Sequence, residues 1–274
     1  MKLVSYSTSG HIRPGALLED GAVIDLSTSG YANTLTVIAS GLNTVPDGPT
    51  QHVNNVRLHA PISNPPRVFA IGLNYRDHAK ESGMAIPTTP VVFFKLATAI
   101  IGPGDAIVLP KNSNQPDYEA EFAFVIGKGG YRITASAWQE HIYGYTIVND
   151  VSARDVQFAT SQWSLSKSFP TFCPLGPTIV TADEIEDPHQ LAISLNIDGE
   201  LLQNSNTREL IFGIPELVEY LSSITPLLPG DIVSTGTPAG VGLGRTPKRW
   251  LKAGETVAVT VEGLGSLSNS VVAE

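Results

Sequence analysis

Asp117-Tyr118-Glu119-Ala120-Glu121-Phe122-Ala123-Phe124-Val125-Ile126 is the stretch on which the reading of this chain turns. In an extended chain alternate side chains share a face. Tyr118, Ala120, Phe122, Phe124 and Ile126 therefore form one continuous apolar face. Asp117, Glu119 and Glu121 point the other way, followed by Ala123 and Val125. The simple reading is an amphipathic strand with a solvated acidic face. Three successive acids repel one another, however, and a solvated face usually mixes in Lys, Thr or Ser. The alternative is a strand that carries carboxylates into a site.

Similar short segments surround it. Residues 68–71, 91–94, 143–148, 191–197, 231–235 and 256–262 read as strands, and the 191–197 segment runs into an Asp198-Gly199 turn. One longer helix opens at Ile214-Pro215-Glu216, with Leu217, Leu221 and Ile224 as its apolar stripe. Short strands without regular intervening helices predict a β-rich α+β chain, a roll or barrel and not a doubly wound sheet. Residues 1–60 read as a small β domain. Leu17-Leu18, Asp20-Gly21 and Val23-Ile24 form a hairpin pattern, the stretch 43–59 is polar, and Pro61, Pro65 and Pro66 follow it. The expected division is 1–60 and 61–274.

Composition excludes several function classes. Of 274 residues, 42% are hydrophobic and 16% charged, so a large core is affordable and global disorder is not expected. A formal net charge of −9 disfavours nucleic acid as a partner. The longest apolar stretch, 91–101, is broken by Lys95 and is far short of the ~18 residues of a membrane helix. The single cysteine, Cys173, excludes an internal disulfide and a Cys-rich zinc site. With no signal-peptide pattern at the start, a cytoplasmic protein that spans no membrane is expected.

Four further segments carry candidate chemistry. In Asn149-Asp150-Val151-Ser152-Ala153-Arg154-Asp155-Val156-Gln157 a strand ends and a helix can start, with Asp150 or Ser152 as its cap; Asp150, Arg154 and Gln157 then share one side, and Arg154 can pair with Asp150. Asp150 beside Glu119 and Glu121 would make an all-oxygen site suited to Mg²⁺ or Mn²⁺. In Asn74-Tyr75-Arg76-Asp77-His78-Ala79-Lys80-Glu81, Asn74 can cap a helical turn that sets His78 beside Glu81, the pairing a general base needs. The following 82–90 has the Gly and Pro content of a covering loop. Lys167 stands alone among small and apolar residues, which also describes a snorkelling surface lysine. The strand running into Thr235-Gly236-Thr237-Pro238-Ala239-Gly240 ends in a Gly-rich loop whose free N–H groups can bind a carboxylate.

Taken in order, Gly-Leu-Asn-Tyr-x-x-His-x-x-Glu at 72–81, Asp-Tyr-Glu-x-Glu at 117–121, Asn-Asp-Val-Ser-Ala-Arg-Asp at 149–155, Lys-Ser-Phe at 167–169 and Pro-Gly-Asp-Ile-Val-Ser-Thr-Gly-Thr-Pro at 229–238 resemble the fumarylacetoacetate hydrolase family. The resemblance implies a mixed β-sandwich roll, usually a homodimer, using Mg²⁺, Mn²⁺ or Ca²⁺. It implies Glu119, Glu121 and Asp150 as metal ligands, with Asp117 an unused neighbour. His78, Glu81 and Lys167 match catalytic positions; Tyr75, Arg154, Gln157, Gly236 and Thr237 match substrate-side ones. Some larger members carry another carboxylate ligand just before the His, whereas 68–71 is apolar here, so three protein ligands are expected. The implied substrate is a small 2-oxo or 2,4-diketo acid. The leading expectation is hydrolysis of a C–C bond in an acylpyruvate-like acid through a metal-stabilised enolate. Decarboxylation of an oxaloacetate-type acid, or isomerisation or tautomerisation of a 2-oxo-diene-dioate, would use the same site, and a catalytically silent metal-binding homologue is the remaining alternative.

Overall fold

Every residue of the strand Ala120–Ile126 is buried in the computed structural model, which describes residues 1–46 and 52–274. Its acidic side is therefore not a solvated face. The strand pairs antiparallel with Ile142–Asn149, Phe122 opposite Ile147, and with Ile232–Ser234, Ala123 opposite Ser234. Phe122, Phe124 and Ile126 enter a core shared with Ile193, Leu195, Val257, Val259 and Leu267. Ala123 and Val125 enter a second core with Leu3, Ile24, Leu26, Val37 and Ile38. Burying such side chains contributes ~1.5–3 kcal/mol each, and here both faces of one strand are used.

The fold is a mixed β-sandwich roll. Its larger sheet runs from the edge strand Val91–Lys95 through Val68–Gly72, Ile232–Ser234, Ala120–Ile126, Ile142–Asn149 and Cys173–Thr181 to Lys2–Ser7, Arg13–Leu17, Val23–Asp25 and His52–Val53. Ile232–Ser234 and Val68–Gly72 are parallel, while most other neighbours are antiparallel. A five-stranded sheet, in the order Glu200–Asn206, Ala192–Ile197, Thr256–Val261, Gly265–Ala273 and Ile107–Leu109, packs over it. Among the described residues neither sheet closes into a barrel. Among the described residues no helix is long and apolar enough to cross a membrane.

Local expectations meet mixed outcomes. The hairpin is present: Ala16 pairs with Ile24, and Gly21 sits at φ 84°, a left-handed conformation that suits glycine. Part of the polar stretch before residue 60, 47–51, lies outside the described residues. The helix Ile214–Ile224 opens on Pro215 and buries Leu217, Val218 and Leu221. Ile224, expected in its stripe, is 64% exposed, because it is the last residue of the helix and Val218 completes the buried face instead.

Two caps are corrected. The helix Arg76–Ser82 starts after Tyr75 with no side-chain cap. Asn74 is spent elsewhere, accepting from Phe212 N at 2.8 Å and donating to Thr235 O at 2.8 Å. After Asn149 the chain first forms a short strand, Ser152–Ala153, paired with Pro116–Asp117; the helix Arg154–Gln157 has Ala153 at its N-cap. Asp150 therefore caps nothing, and its carboxylate is free for the site.

Candidate active site

The pairing of Ala120 with Asn149 sets the geometry, because it brings the start of one strand beside the end of the next. Asp150 N donates to Glu119 O at 2.9 Å, and Glu119 N donates to Asn149 Oδ1 at 3.0 Å. Carboxylate oxygens of Glu119, Glu121 and Asp150 come within 4.8 Å of one another, and all three residues are buried. Glu119 and Glu121 line a cavity of about 140 Å³, with Asp150 behind them, comparable to the ~150 Å³ void that accepts benzene. His78, Arg154, Gln157, Lys167 and Thr237 also line it. Its mouth is apolar, formed by Met84, Phe158, Trp163 and Leu243.

Three cations meet these acids. Lys167 Nζ lies 2.7 Å from Glu119 Oε2 and 2.7 Å from Asp150 Oδ2, so it is no surface lysine. Arg154 does not pair with Asp150. It donates through Nε to Asp117 Oδ2 at 2.8 Å and places Nη2 2.6 Å from Glu119 Oε1. Lys95 Nζ lies 2.5 Å from Asp150 Oδ1. Burial alone would raise the Glu119 carboxyl, but Lys167 and Arg154 overcome it and hold the group at about 2. Glu121 behaves oppositely. Burial, then the charges of Asp150 and Glu119, push it well above the usual carboxylate range. Its contacts are Ser234 Oγ at 2.5 Å and Gly236 N at 3.1 Å, neither of them a cation.

That imbalance, together with the chemistry of the donors, is the test of whether a metal fits. Three carboxylates offer hard oxygen ligands, and the one with a raised pKa is the one with no cation among its direct contacts. The set suits a divalent oxygen-seeking ion. The residues fit.

His78 and Glu81 enter from the helix Arg76–Ser82, with His78 Nδ1 3.2 Å from Glu81 Oε2. Glu81 also accepts Gly240 N at 2.9 Å. Burial raises its pKa, but the bonds from His78 and Gly240 outweigh this and leave it lowered. Thr237 Oγ1 accepts from Gln203 Nε2 at 2.8 Å. Gly236 lies behind the cavity as a donor to Glu121. Tyr75 is fully buried and does not line the cavity.

Lys95, Gln203 and Ser234 belong to the site without having been singled out from the sequence. For Lys95 a signal existed: alternation in Val91-Val92-Phe93-Phe94-Lys95 puts it on the face of Phe93, and both are buried. Gln203 accepts Ala120 N at 2.9 Å, a contact between distant strands that no local pattern announces.

Comparison with known proteins bears on the same residues. The family description "Fumarylacetoacetate (FAA) hydrolase C-terminal" matches residues 67–272. A mitochondrial oxaloacetate tautomerase of Xenopus laevis is 42% identical over 288 residues, covering 99% of this chain and 90% of that protein. The solved structure of a fumarylacetoacetate hydrolase from psychrophilic Exiguobacterium antarcticum superposes with a TM-score of 0.91 at 36% identity, covering 100% of both chains. A 5-carboxymethyl-2-hydroxymuconate delta-isomerase from Mycobacterium smegmatis does so with a TM-score of 0.82 at 38% identity, covering 100% of this chain and 99% of that one.

Proposed function

Since the chain belongs to the fumarylacetoacetate hydrolase family, we propose that it is a divalent-cation-dependent enzyme acting on a small 2-oxo acid through its enolate, with keto–enol tautomerisation as its reaction. The observation that carries this reading is that His78, paired with Glu81, lines the same cavity as the buried Glu119 and Glu121, which cluster with Asp150. A Mg²⁺ or Mn²⁺ ion, with Ca²⁺ as a third option, held by the three acids would act as a Lewis acid toward the 2-oxo group and lower the cost of the enolate.

The chain's own groups do the rest. His78, held in orientation by Glu81, moves the proton at carbon 3 of the acid, a role worth ~10²–10⁴ in rate. Lys167 and Gln157 donate to the developing enolate oxygen. Arg154 and Thr237 hold the carboxylate end. The apolar mouth keeps water away from the proton being moved.

Hydrolysis of the C–C bond of an acylpyruvate is the second reading, and the one the motifs put first. It needs one more event, attack by a water that the same His78 would deprotonate. Tautomerisation is placed ahead because it requires only proton transfer and because relatives 42% to 45% identical carry the name oxaloacetate tautomerase. Product analysis with oxaloacetate, acetylpyruvate and a hydroxymuconate-type diene separates the two from decarboxylation and isomerisation. A His78→Ala protein should lose the activity while still binding Mn²⁺; turnover at the wild-type rate would remove His78 from the reaction.

The proposal extends to assembly and location. Phe94 and Leu96 at the edge strand, with Leu165 nearby in the chain that borders it, are 43%, 48% and 74% exposed. The edge N–H groups of Phe94 and Leu96 are taken by Ser164 Oγ and Ser168 Oγ at 3.2 and 3.1 Å, which blocks strand extension. Side-chain packing of this apolar face against a second copy would give a homodimer, which sedimentation can test. The division near residue 60 and a cytoplasmic location are part of the same proposal.

A further inference from the structure

We propose that Asp117 is a positioning residue that fixes the acid cluster and the His78–Glu81 pair relative to each other, an inference that rests on the enolate-forming reading above. Asp117 is fully buried. Its Oδ1 accepts Gly242 N at 2.7 Å, and its Oδ2 accepts Leu243 N at 3.0 Å and Arg154 Nε at 2.8 Å.

These bonds lead to two parts of the site, through Arg154 and through the loop 240–244. Arg154, aimed by Asp117, places Nη2 2.6 Å from Glu119 Oε1 and donates through Nη1 to Gln157 Oε1 at 2.9 Å. The loop 240–244, tied to Asp117 at Gly242 and Leu243, presents Gly240 N to Glu81 Oε1 at 2.9 Å, and Glu81 Oε2 meets His78 Nδ1 at 3.2 Å. Asp117 touches none of His78, Glu81 or Glu121, yet stands one step from Glu119 and two from Glu81.

The loop has little freedom between the two carboxylates. A Cβ added at Gly242 would come within 2.6 Å of Asp117 Oδ1 and 1.9 Å of Arg249 O; one at Gly244 would come within 2.5 Å of Glu81 Cδ. Small residues here let the backbone lie against both acids at once. With Tyr118 N also donating to Oδ1 at 2.9 Å, a carboxylate is required because a neutral amide could not hold three backbone N–H groups and a guanidinium with its oxygens alone.

Amide hydrogen exchange and steady-state kinetics test this together. Wild type, Asp117→Asn and Gly242→Ala are compared, exchange being followed without metal and kinetics with Mn²⁺ and oxaloacetate. Asp117→Asn should speed exchange in the helix 76–82, which Asp117 does not touch, by roughly 10- to 100-fold, the equivalent of one lost hydrogen bond to a charged group. It should lower kcat ~100-fold, the penalty of a misplaced group, with a much smaller change in KM. Exchange that rises in 240–244 but not in 76–82, or a kcat that falls only with the folded fraction, overturns the proposal. Should Asp117→Asn not fold, Gly242→Ala decides: it displaces the loop without altering any charge, so faster exchange in 76–82 supports the role and unchanged exchange contradicts it. If wild type turns over no 2-oxo acid, the functional reading fails, but exchange still decides whether Asp117 positions the helix.

Discussion

Lys167 Nζ bridges Glu119 Oε2 and Asp150 Oδ2, at 2.7 Å from each. One ammonium thus neutralises two of the three clustered acids and leaves Glu121 with a hydroxyl and a backbone N–H. The site is strongly held and electrically lopsided at the same time.

Removing that ammonium should expose the acids to each other. Breaking a buried pair costs about 3–5 kcal/mol, and the Lys167 and Asp150 side chains are 3% and 0% exposed. Lys167→Met should therefore lower Tm in EDTA. Added Mn²⁺ should raise the Tm of this variant by more than it raises that of wild type. Calorimetry with and without metal measures both; an unchanged Tm in EDTA would mean the bridge contributes nothing.

Glu121 makes stability fall as pH rises. Its folded pKa is raised above the ordinary 4.5 by burial and then by Asp150 and Glu119. The folded state binds that proton more tightly, so stability without metal should fall as pH rises from 4.5 toward the raised value. Divalent cation should cancel the fall. Glu121→Gln should be at least as stable as wild type at pH 8 in EDTA and gain little from Mn²⁺. Denaturant titrations at pH 5 and pH 8 show whether the slopes differ in this sense.

Glu81 acts in the opposite direction. The bonds from His78 and Gly240 outweigh burial and lower its folded pKa below 4.5. Its small contribution to stability is present above pH 4.5 and fades as pH falls through the folded value. It is thus ionised across the neutral range, and it orients His78 there. Glu81→Gln should reduce kcat by roughly 10- to 100-fold through the lost orientation, without moving the Mn²⁺ affinity. A matching loss of metal binding would place Glu81 in the ion site instead.

Asp25 is a structural counterpart far from the cavity. It caps the turn Leu26–Ser29 through Ser27 N at 2.9 Å and pairs with Arg13 at 3.1 Å. Burial raises its pKa, but the bonds from Ser27 prevail and leave it below 3.8. Asp25→Ala should cost about 1–2 kcal/mol at pH 7. The difference from wild type should shrink as pH falls below 3.8, which urea titrations along a pH series can follow.

The sequence made the strands and the acid set legible for different reasons. Alternation in 118–126 marked a strand, and the run of acids opposite Phe122 and Phe124 marked a site, because residue type and period are local properties. The burial of that side was not legible, since Ala123 and Val125 pack with Leu3, Ile24 and Val37 from the N-terminal segment, and Glu119 and Glu121 meet Arg154, Lys167 and Ser234 from distant stretches. Arg154 illustrates the same limit. Spacing paired it with Asp150 four residues earlier, but the intervening strand Ser152–Ala153 breaks the helical register and delivers it to Asp117 and Glu119. Asn74 likewise suits a cap by type, yet tertiary contacts with Phe212 and Thr235 claim it.

Diffraction from crystals soaked in Mn²⁺ and oxalate, with anomalous scattering used to locate the ion, is the most direct measurement. The expected result is one ion with an oxygen each from Glu119, Glu121 and Asp150 at about 2.0–2.6 Å, with oxalate filling the sites that face His78. An ion bound elsewhere, or Lys167 still bridging Glu119 and Asp150 with no ion between them, would contradict the central claim.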